Sequence, residues 1–221
     1  MTEPISTYYG LLRRIHELRQ PNLYVEIGVH EGHSLAFVQP DTRIVAVDPA
    51  PKVAEPPAQS TIVAQTSDDF FADPVALCGE SIDLSFADGL HHWEQTLRDV
   101  ANLERHSTPD SVILIHDCNP IDEVTAARVR TTAVWTGDVW KTIVALRRYR
   151  PDLSVVVADV GPSGLAIVTG LDPTNTILFD RYDEIVTDID QLGWADIESA
   201  DRSDLLGLVP GDWTELQRYV A

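Results

Sequence analysis

The chain has 221 residues, of which 44% are hydrophobic, and it carries a formal net charge of -19 with a pI near 4.5. This length and apolar content suit one domain over residues 1–221, made of an N-terminal helix (1–20), a core (21–170) and a C-terminal extension (171–221). The strongly acidic surface repels phosphate backbones and anionic lipids, so we expect neither nucleic acid nor membrane as a partner.

The sequence also carries no targeting signal that we recognise. It contains no run of about 20 apolar residues, and its opening MTEPISTYYG lacks the basic and apolar regions of a secretory signal. We therefore expect a cytoplasmic protein. The two cysteines, Cys78 and Cys118, are too few for a disulfide framework and stand in no zinc-binding spacing.

An amphipathic helix is predicted over residues 5–18, and a series of short apolar runs follows it. Such nearly continuous runs are typical of strands buried on both faces. They begin at Leu23, Arg43, Thr61, Ile82 and Ser111. Segments with helical spacing lie between them, such as HHWEQTLRDVANLERH, in which apolar residues recur every three or four positions. This alternation predicts parallel strands joined by crossover helices.

Two later apolar runs, which begin at Leu153 and Gly164, are separated by only a Gly-Pro-Ser turn. Because this turn is too short for a parallel crossover, we expect an antiparallel hairpin at the edge of the sheet. The predicted fold is an α/β fold with a doubly wound, mostly parallel, seven-stranded sheet. The proline-rich residues 49–60 are predicted to form a loop after the second strand.

A glycine-rich turn, within YVEIGVHEGHSLAF, follows the first strand. In open α/β sheets ligands bind at the carboxyl ends of strands, where glycine lets them approach the backbone. Asp48 ends the second strand 20 residues after Gly28, and its carboxylate could accept hydrogen bonds from both hydroxyls of a ribose. These features predict a site for a nucleotide-like cofactor. His30 stands where the dinucleotide fingerprint needs its second glycine, which disfavours NAD without excluding it.

Two further aspartates, Asp88 and Asp117, follow the fourth and fifth strands in the motifs FADGLHHWEQ and ILIHDCNP. Both strand ends face the predicted cofactor site, so the two carboxylates should converge there. Two carboxylates beside a cofactor suit a divalent cation such as Mg²⁺, which prefers oxygen ligands. Either aspartate alone could instead serve only as a helix cap or a turn former.

The spacing of Glu26, Gly28 and Gly32, with an acidic residue ending the second strand, resembles class I S-adenosylmethionine-dependent methyltransferases. The resemblance covers most of the chain, because the edge hairpin is similar to the antiparallel seventh strand of that Rossmann-like fold. It implies S-adenosylmethionine as the cofactor. The residues that it implies at the cofactor are Glu26, Gly28, Gly32 and Ser34 near the methionine, Asp48 at the ribose, Ser67 and Asp68 at the adenine, and Asp88.

The two aspartate motifs also resemble metal-dependent O-methyltransferases of the catechol and caffeoyl-coenzyme A type. That resemblance implies that Asp88 and Asp117 hold Mg²⁺ or another divalent cation, and that His91 is the catalytic base where those relatives carry lysine. Those relatives follow the second aspartate with an amide ligand, but this chain has a cysteine there, so His116, Asn119 or water would complete the metal shell. The motifs look closer to a bacterial branch that methylates sugar and natural-product hydroxyls.

We therefore expect a metal-assisted O-methyltransferase that acts on a hydroxyl of a sugar, oligosaccharide or natural product. A metal would lower the pKa of that hydroxyl, and His91 would take its proton. A strongly acidic protein also suits a neutral polyol or glycoside better than a coenzyme A thioester. Three alternatives stay open: an NAD-linked oxidoreductase, a metal-independent methyltransferase of a catechol-like or amine compound, and a cofactor-binding domain without chemistry.

Residues 134–141, VWTGDVWK, are predicted either to begin a helix packed on the core or to form a lid over substrate. In the second case Trp135 or Trp140 would form an apolar wall near the acceptor. Apolar faces on the N-terminal helix and the acidic tail would suit a homodimer.

Overall fold

The computed structural model describes residues 3–221, and the strands in that range form one eight-stranded sheet. The strands are β1 (Leu23–Ile27), β2 (Arg43–Val47), β3 (Ser60–Val63), β4 (Ile82–Ala87), β5 (Ser107–His116), β6 (Ser154–Asp159), β7 (Leu165–Thr169) and β8 (Leu208–Pro210). Their order is β3-β2-β1-β4-β5-β7-β6-β8. Neighbouring strands are parallel except that β7 runs antiparallel to both β5 and β6. The predicted α/β fold and hairpin are confirmed.

Helices cover both faces of this sheet. They are α1 (Tyr8–Arg19), α2 (Ser67–Ala72), α3 (Trp93–Arg105), α4 (Trp140–Tyr149), α5 (Ile177–Asp180), α6 (Tyr182–Ile189), α7 (Trp194–Ser199), α8 (Arg202–Leu206) and α9 (Trp213–Val220), with short 3-10 helices at Ser34–Phe37 and Val75–Leu77. Successive residues of β1 point to opposite faces: Val25 packs into the core under α3 and α4, and Tyr24 packs into the core under α1 and α9. None of the helices within residues 3–221 combines the length and apolarity that crossing a membrane requires.

The strand sequences are apolar because helices cover them on both sides. Every residue of β1 is buried, including the carboxylic acid Glu26. The helical spacing that the sequence shows after β4 is also confirmed, since Trp93, Leu97 and Val100 of α3 are fully buried. The helix predicted at residues 5–18 runs instead from Tyr8 to Arg19, because the side chain of Thr7 caps it by accepting from the backbone N–H of Gly10 at 3.2 Å.

Residues 171–221, predicted as a C-terminal extension, form part of the hydrophobic core. Ile185, Ile189 and Ile197 are fully buried in the core that α3 and α4 share. The segment also adds β8, a three-residue strand parallel to β6 that the sequence pattern does not predict. The β6–β7 hairpin is therefore next to the edge of the sheet, and β8 forms the edge.

The strand order places a topological switch between β1 and β4. The chain runs outward from β1 through β2 to β3, and it then returns to the other side of β1 to form β4 and β5. The loops that follow β1 and β4 diverge at this point, which is where ligands bind in open α/β sheets.

Candidate active site

A cavity of about 650 Å³ lies at the carboxyl ends of β1, β2 and β4. This volume is in the range of small-molecule and cofactor pockets. Its wall is built from residues 27–34, 47–49, 66–68 and 88–91, with Tyr8, Tyr9, Phe86, Gln95, Asp99, Arg130 and Trp135. Of the residues predicted to hold the cofactor, all line this cavity except Glu26.

Gly28 brings the loop after β1 against the loop after β4. Its φ is +85°, and a Cβ at this position would lie 2.0 Å from the carbonyl oxygen of Asp88. Glycine is predicted here to let a ligand approach the backbone, and the structure adds a second reason for it, since the atoms nearest to such a Cβ belong to protein backbone. Gly28 thereby fixes where Asp88 sits relative to the cavity.

Asp48 organises the glycine-rich loop. Its Oδ2 accepts from the backbone N–H groups of Val29 at 3.0 Å and His30 at 2.8 Å, and its Oδ1 accepts from that of Ala50 at 2.7 Å. The carboxylate therefore ties the loop after β1 to the loop after β2. Asp48 also lines the cavity, and its carboxylate oxygens can accept further hydrogen bonds there.

Glu26 lies beneath the cavity wall and supports it. It is 1% exposed, and it accepts hydrogen bonds from the hydroxyl of Tyr24 at 2.7 Å and from the hydroxyl of Ser34, which does line the cavity. Burial raises the pKa of Glu26 to about 8, although both hydrogen bonds oppose that rise.

A second buried carboxyl group, Asp99, lies at the other end of the cavity, where α2 meets α3. The hydroxyl of Ser67 donates to Asp99 at 2.6 Å, and the amide of Gln95 donates to both Asp99 and Asp68. Burial raises the pKa of Asp99 to about 6. Asp99 is not among the residues predicted for the site, although a carboxylate next to Val100 on the buried face of a helix is itself a signal.

Asp88, His116 and Asp117 meet at the ends of β4 and β5, where one potential ligand atom from each lies within 4.8 Å of the others. Nδ1 of His116 is 3.2 Å from Oδ1 of Asp88 and 3.4 Å from Oδ2 of Asp117. His91 joins them, with Nε2 at 3.3 Å from Asp88 Oδ1 and Nδ1 at 3.0 Å from Asp117 Oδ2. The structure thus brings together the four residues predicted for catalysis and metal binding.

The charges in this cluster shift the pKa values of His116, His91 and Asp88. Burial alone would lower the pKa of His116, but the carboxylates of Asp88 and Asp117 outweigh it and raise that pKa to about 10. The pKa of His91 is raised for the same reason. Burial alone would raise the pKa of Asp88, yet the two imidazoles hold it well below its usual range. His91 and Asp117 also adopt φ values of 59° and 61°, which residues other than glycine rarely adopt and which concentrate at functional sites.

Two residues that the sequence analysis does not single out hold this cluster in place. Ser163, in the turn between β6 and β7, is fully buried and donates to Oδ1 of Asp117. The ring of Tyr8, at the start of α1, packs on the ring of His116 with 3.9 Å between centroids. Both come from segments distant in sequence, so no local motif marks them.

Asn119 does not take part in the cluster. Its side chain contacts Arg202 and Asp159, whereas His116 provides the third potential ligand. Trp135 and Trp140 also differ from each other. Trp140 begins α4 and is buried in the core, so it does not reach the cavity. Trp135 lines the cavity.

Trp135 fixes the orientation of His91. Its ring stacks on the imidazole with 4.9 Å between centroids and an angle of 7°, and its backbone carbonyl lies 2.9 Å from His91 Nδ1. If Nδ1 carries the proton it donates to this carbonyl, which leaves Nε2 as the basic nitrogen.

The donor set of the cluster fits a divalent cation. Two carboxylates and an imidazole at mutual ligand distance are a common set for such ions in proteins, and Ser163 provides the outer hydrogen bond that orients metal ligands. The cavity likewise fits a cofactor of the size of S-adenosylmethionine, because it extends from the glycine-rich loop to His91.

Comparison with known proteins agrees with this geometry. Residues 25–118 match a protein family described as a methyltransferase domain, whereas no curated protein matches the chain. Cofactor-bound Rv0187 from MTB is 18% identical, with a TM-score of 0.56 over 74% of this chain and 79% of that one. The O-methyltransferase from Bacillus cereus in complex with SAH is 13% identical, with a TM-score of 0.57 over 73% and 79%. The O-methyltransferase TomG from Streptomyces achromogenes, in complex with SAM, is 18% identical, with a TM-score of 0.54 over 75% and 80%.

The sheet order, the cavity at the switch point and the similar structures define the fold of class I methyltransferases. The matched residues begin within β1 and end just after β5, and they include all four residues of the cluster. The chain therefore has the fold of class I S-adenosylmethionine-dependent methyltransferases, and its residues 25–118 match a methyltransferase domain.

Proposed function

We propose that this protein transfers the methyl group of S-adenosylmethionine to a hydroxyl oxygen of a small molecule, with His91 as the base and a divalent cation held by Asp88, Asp117 and His116. The observation that carries the proposal is the convergence of His91 with the carboxylates of Asp88 and Asp117, of which Asp88 lines the cavity together with His91. An amine is often nucleophilic without ionisation, whereas an alcohol must lose its proton, so a base and a cation site together favour an oxygen acceptor.

In the proposed reaction the acceptor oxygen attacks the methyl carbon. The new C–O bond forms as the C–S bond breaks, and the products are a methyl ether and S-adenosylhomocysteine. The hydroxyl proton passes to Nε2 of His91, whose Nδ1 is held by the carbonyl of Trp135. The protein must also align the oxygen with the methyl group, which is the task of the rigid walls around His91.

A bound divalent cation would lower the pKa of the acceptor hydroxyl. Asp117 and His116 are buried and fixed by Ser163, so they would hold such an ion in a set position. Asp88 faces the cavity and would place the ion within reach of the acceptor.

We further propose that the acceptor is a neutral hydroxyl compound such as a sugar, a glycoside or another natural product. The motifs around Asp88 and Asp117 and the net charge of -19 support this class, because an acidic surface disfavours anionic acceptors. Two similar structures are themselves described as O-methyltransferases.

A metal-independent methyltransferase is the second candidate. It is favoured by the raised pKa of His116, since a protonated His116 lies beside both carboxylates and would offset part of their negative charge without an ion. In that case His91 alone would carry the deprotonation of the acceptor.

The test is a screen for labelled methyl transfer from S-adenosylmethionine to sugars, glycosides, catechols and amines, with and without a chelator. The proposal predicts transfer to a carbohydrate-like hydroxyl that the chelator abolishes and a divalent cation restores. Full activity in the chelator would instead favour the second candidate. Preferred methylation of an amine or a catechol over every carbohydrate would contradict the acceptor class.

A further inference from the structure

The candidate metal cluster offers nitrogen as well as oxygen donors. Nδ1 of His116 lies 3.2 Å from a carboxylate oxygen of Asp88 and 3.4 Å from one of Asp117. The imidazole of His91 contacts the same two oxygens at 3.3 and 3.0 Å. Two imidazoles therefore face two carboxylate oxygens in one small space.

The orientation of His116 is that of a metal ligand. Histidines that bind a metal through one nitrogen usually have a hydrogen-bond partner at the other. Nε2 of His116 lies 3.5 Å from the hydroxyl of Ser163, and the same hydroxyl donates to Oδ1 of Asp117. One fully buried side chain thus engages the outer atoms of two ligands, which leaves His116 Nδ1 and Asp117 Oδ2 facing Asp88.

We infer that this cluster binds a first-row transition ion in preference to Mg²⁺, and that His116 is the ligand that sets the preference. Mg²⁺ suits carboxylate, carbonyl and water oxygens, whereas imidazole suits the transition ions. An all-carboxylate cluster would favour the transition ion by a smaller factor, because it lacks the nitrogen donor. The inference rests on the metal-assisted part of the proposed function, and it adds the class of ion that this site takes.

The first test compares Co²⁺ with Mg²⁺ on the full chain after chelator treatment and dialysis. Calorimetry gives both affinities, and visible absorption of Co²⁺ reports nitrogen coordination directly. We expect Co²⁺ to bind more tightly than Mg²⁺. His116→Glu replaces the nitrogen donor with oxygen and should lower the ratio of the two affinities by about tenfold or more, with a change in the Co²⁺ spectrum. His106→Glu, which adds the same charge at the end of α3, should leave the ratio unchanged.

The second test is Ser163→Ala, which removes the outer partner of His116 and Asp117. We expect it to weaken Co²⁺ binding by about 10- to 100-fold while the fold, followed by circular dichroism, is retained. If His116→Glu does not fold, Ser163→Ala provides the deciding measurement, and a ratio of Co²⁺ to Mg²⁺ affinity equal to that of the wild type would then overturn the inference.

The outcomes separate this inference from the proposed function. Mg²⁺ binding as tight as that of Co²⁺, or an affinity ratio that His116→Glu leaves unchanged, would overturn the inference and leave methyl transfer untouched. A protein that binds neither ion yet methylates a hydroxyl would overturn both the inference and the metal assistance. A protein that binds Co²⁺ as expected but transfers no methyl group would overturn the proposed function alone.

Discussion

At the scale of single residues, Asp48 and Gly28 shape the site through their contacts with protein backbone. Asp48 and Gly28 both lie at the predicted site, but Asp48 accepts from three loop amides and Gly28 makes room for the backbone at Asp88. Spacing in a sequence reports which strand end a residue occupies. It does not report which protein atoms lie beside that residue, so the hydrogen bonds of Asp48 and the close backbone approach at Gly28 could not be predicted.

Replacing Asp48 with asparagine should weaken binding of S-adenosylmethionine by about 1–3 kcal/mol, because one side of the amide side chain is a donor and would face a backbone N–H. Titration calorimetry measures the change. Asp41→Asn, an exposed acid outside the cavity, serves as the control. Equal affinities for the wild type and Asp48→Asn would show that Asp48 has no part in shaping the cofactor site.

The raised pKa of Glu26 predicts that the free energy of unfolding depends on pH. Its pKa is raised to about 8 in the folded protein, so between its ordinary value near 4.5 and pH 8 the folded state holds a proton that the unfolded state has lost. The contribution of Glu26 to stability therefore falls as pH rises through this window. Glu26→Gln removes this penalty, and its stability relative to wild type should rise from pH 5 to pH 8 and level off above. Urea denaturation across this range measures it, and a difference that is constant with pH would contradict the raised pKa.

At the scale of elements, apolar patterning predicts the helices and strands that are covered on both sides, but it fails for those defined by few contacts. β8 has only three residues and none of them is fully buried, so its sequence shows no alternation of apolar and polar residues that would predict a strand. β5 begins at Ser107, four residues before the apolar run, because polar residues near its start continue the strand past a register shift against β4. Ser163 reaches the site from the turn between β6 and β7. The sequence of this turn predicts a change of chain direction, but it does not predict a contact with the site.

A buried ion pair joins three elements. Arg150, at the end of α4, is fully buried and binds both oxygens of Glu104 in α3, and Glu104 also accepts from the backbone N–H of Asp172. Glu104→Gln leaves the buried guanidinium with only the exposed carboxylate of Asp152 as a charge partner and should cost about 3–5 kcal/mol of unfolding free energy. Arg148→Ala breaks an exposed pair with Asp188 and should cost about 0–1 kcal/mol. Chemical denaturation compares the two, and equal costs would contradict the role of burial.

At the scale of the whole molecule, the sequence predicts one doubly wound sheet with the site at the carboxyl ends of its strands. Both predictions succeed because hydrophobic runs and strand-end motifs each lie within a short stretch of sequence. It predicts the packing of residues 171–221 poorly, because their acidic composition hides the few side chains that are buried. Leu178, Ile185 and Leu206 lie in the core under α3 and α4, whereas Trp213 and Leu216 lie in the core under α1.

A chain that ends at residue 170 should therefore fail to form a stable fold. It would lose β8 and expose core surface on both faces of the sheet. Size-exclusion chromatography and near-ultraviolet circular dichroism of the truncated protein measure this. A monomer with native-like spectra would show that residues 1–170 fold without the rest of the chain.

The most direct measurement of the central claim is the rate of labelled methyl transfer from S-adenosylmethionine to the best hydroxyl acceptor by the wild type and by His91→Ala. The account predicts that the wild type methylates the oxygen and that His91→Ala lowers the rate by about 10²–10⁴-fold, the usual contribution of a positioned base. Affinity for S-adenosylmethionine should stay near normal, and His92→Ala, at the position before α3, should retain the wild-type rate. A fully active His91→Ala enzyme, or a wild type that methylates no hydroxyl, would contradict it.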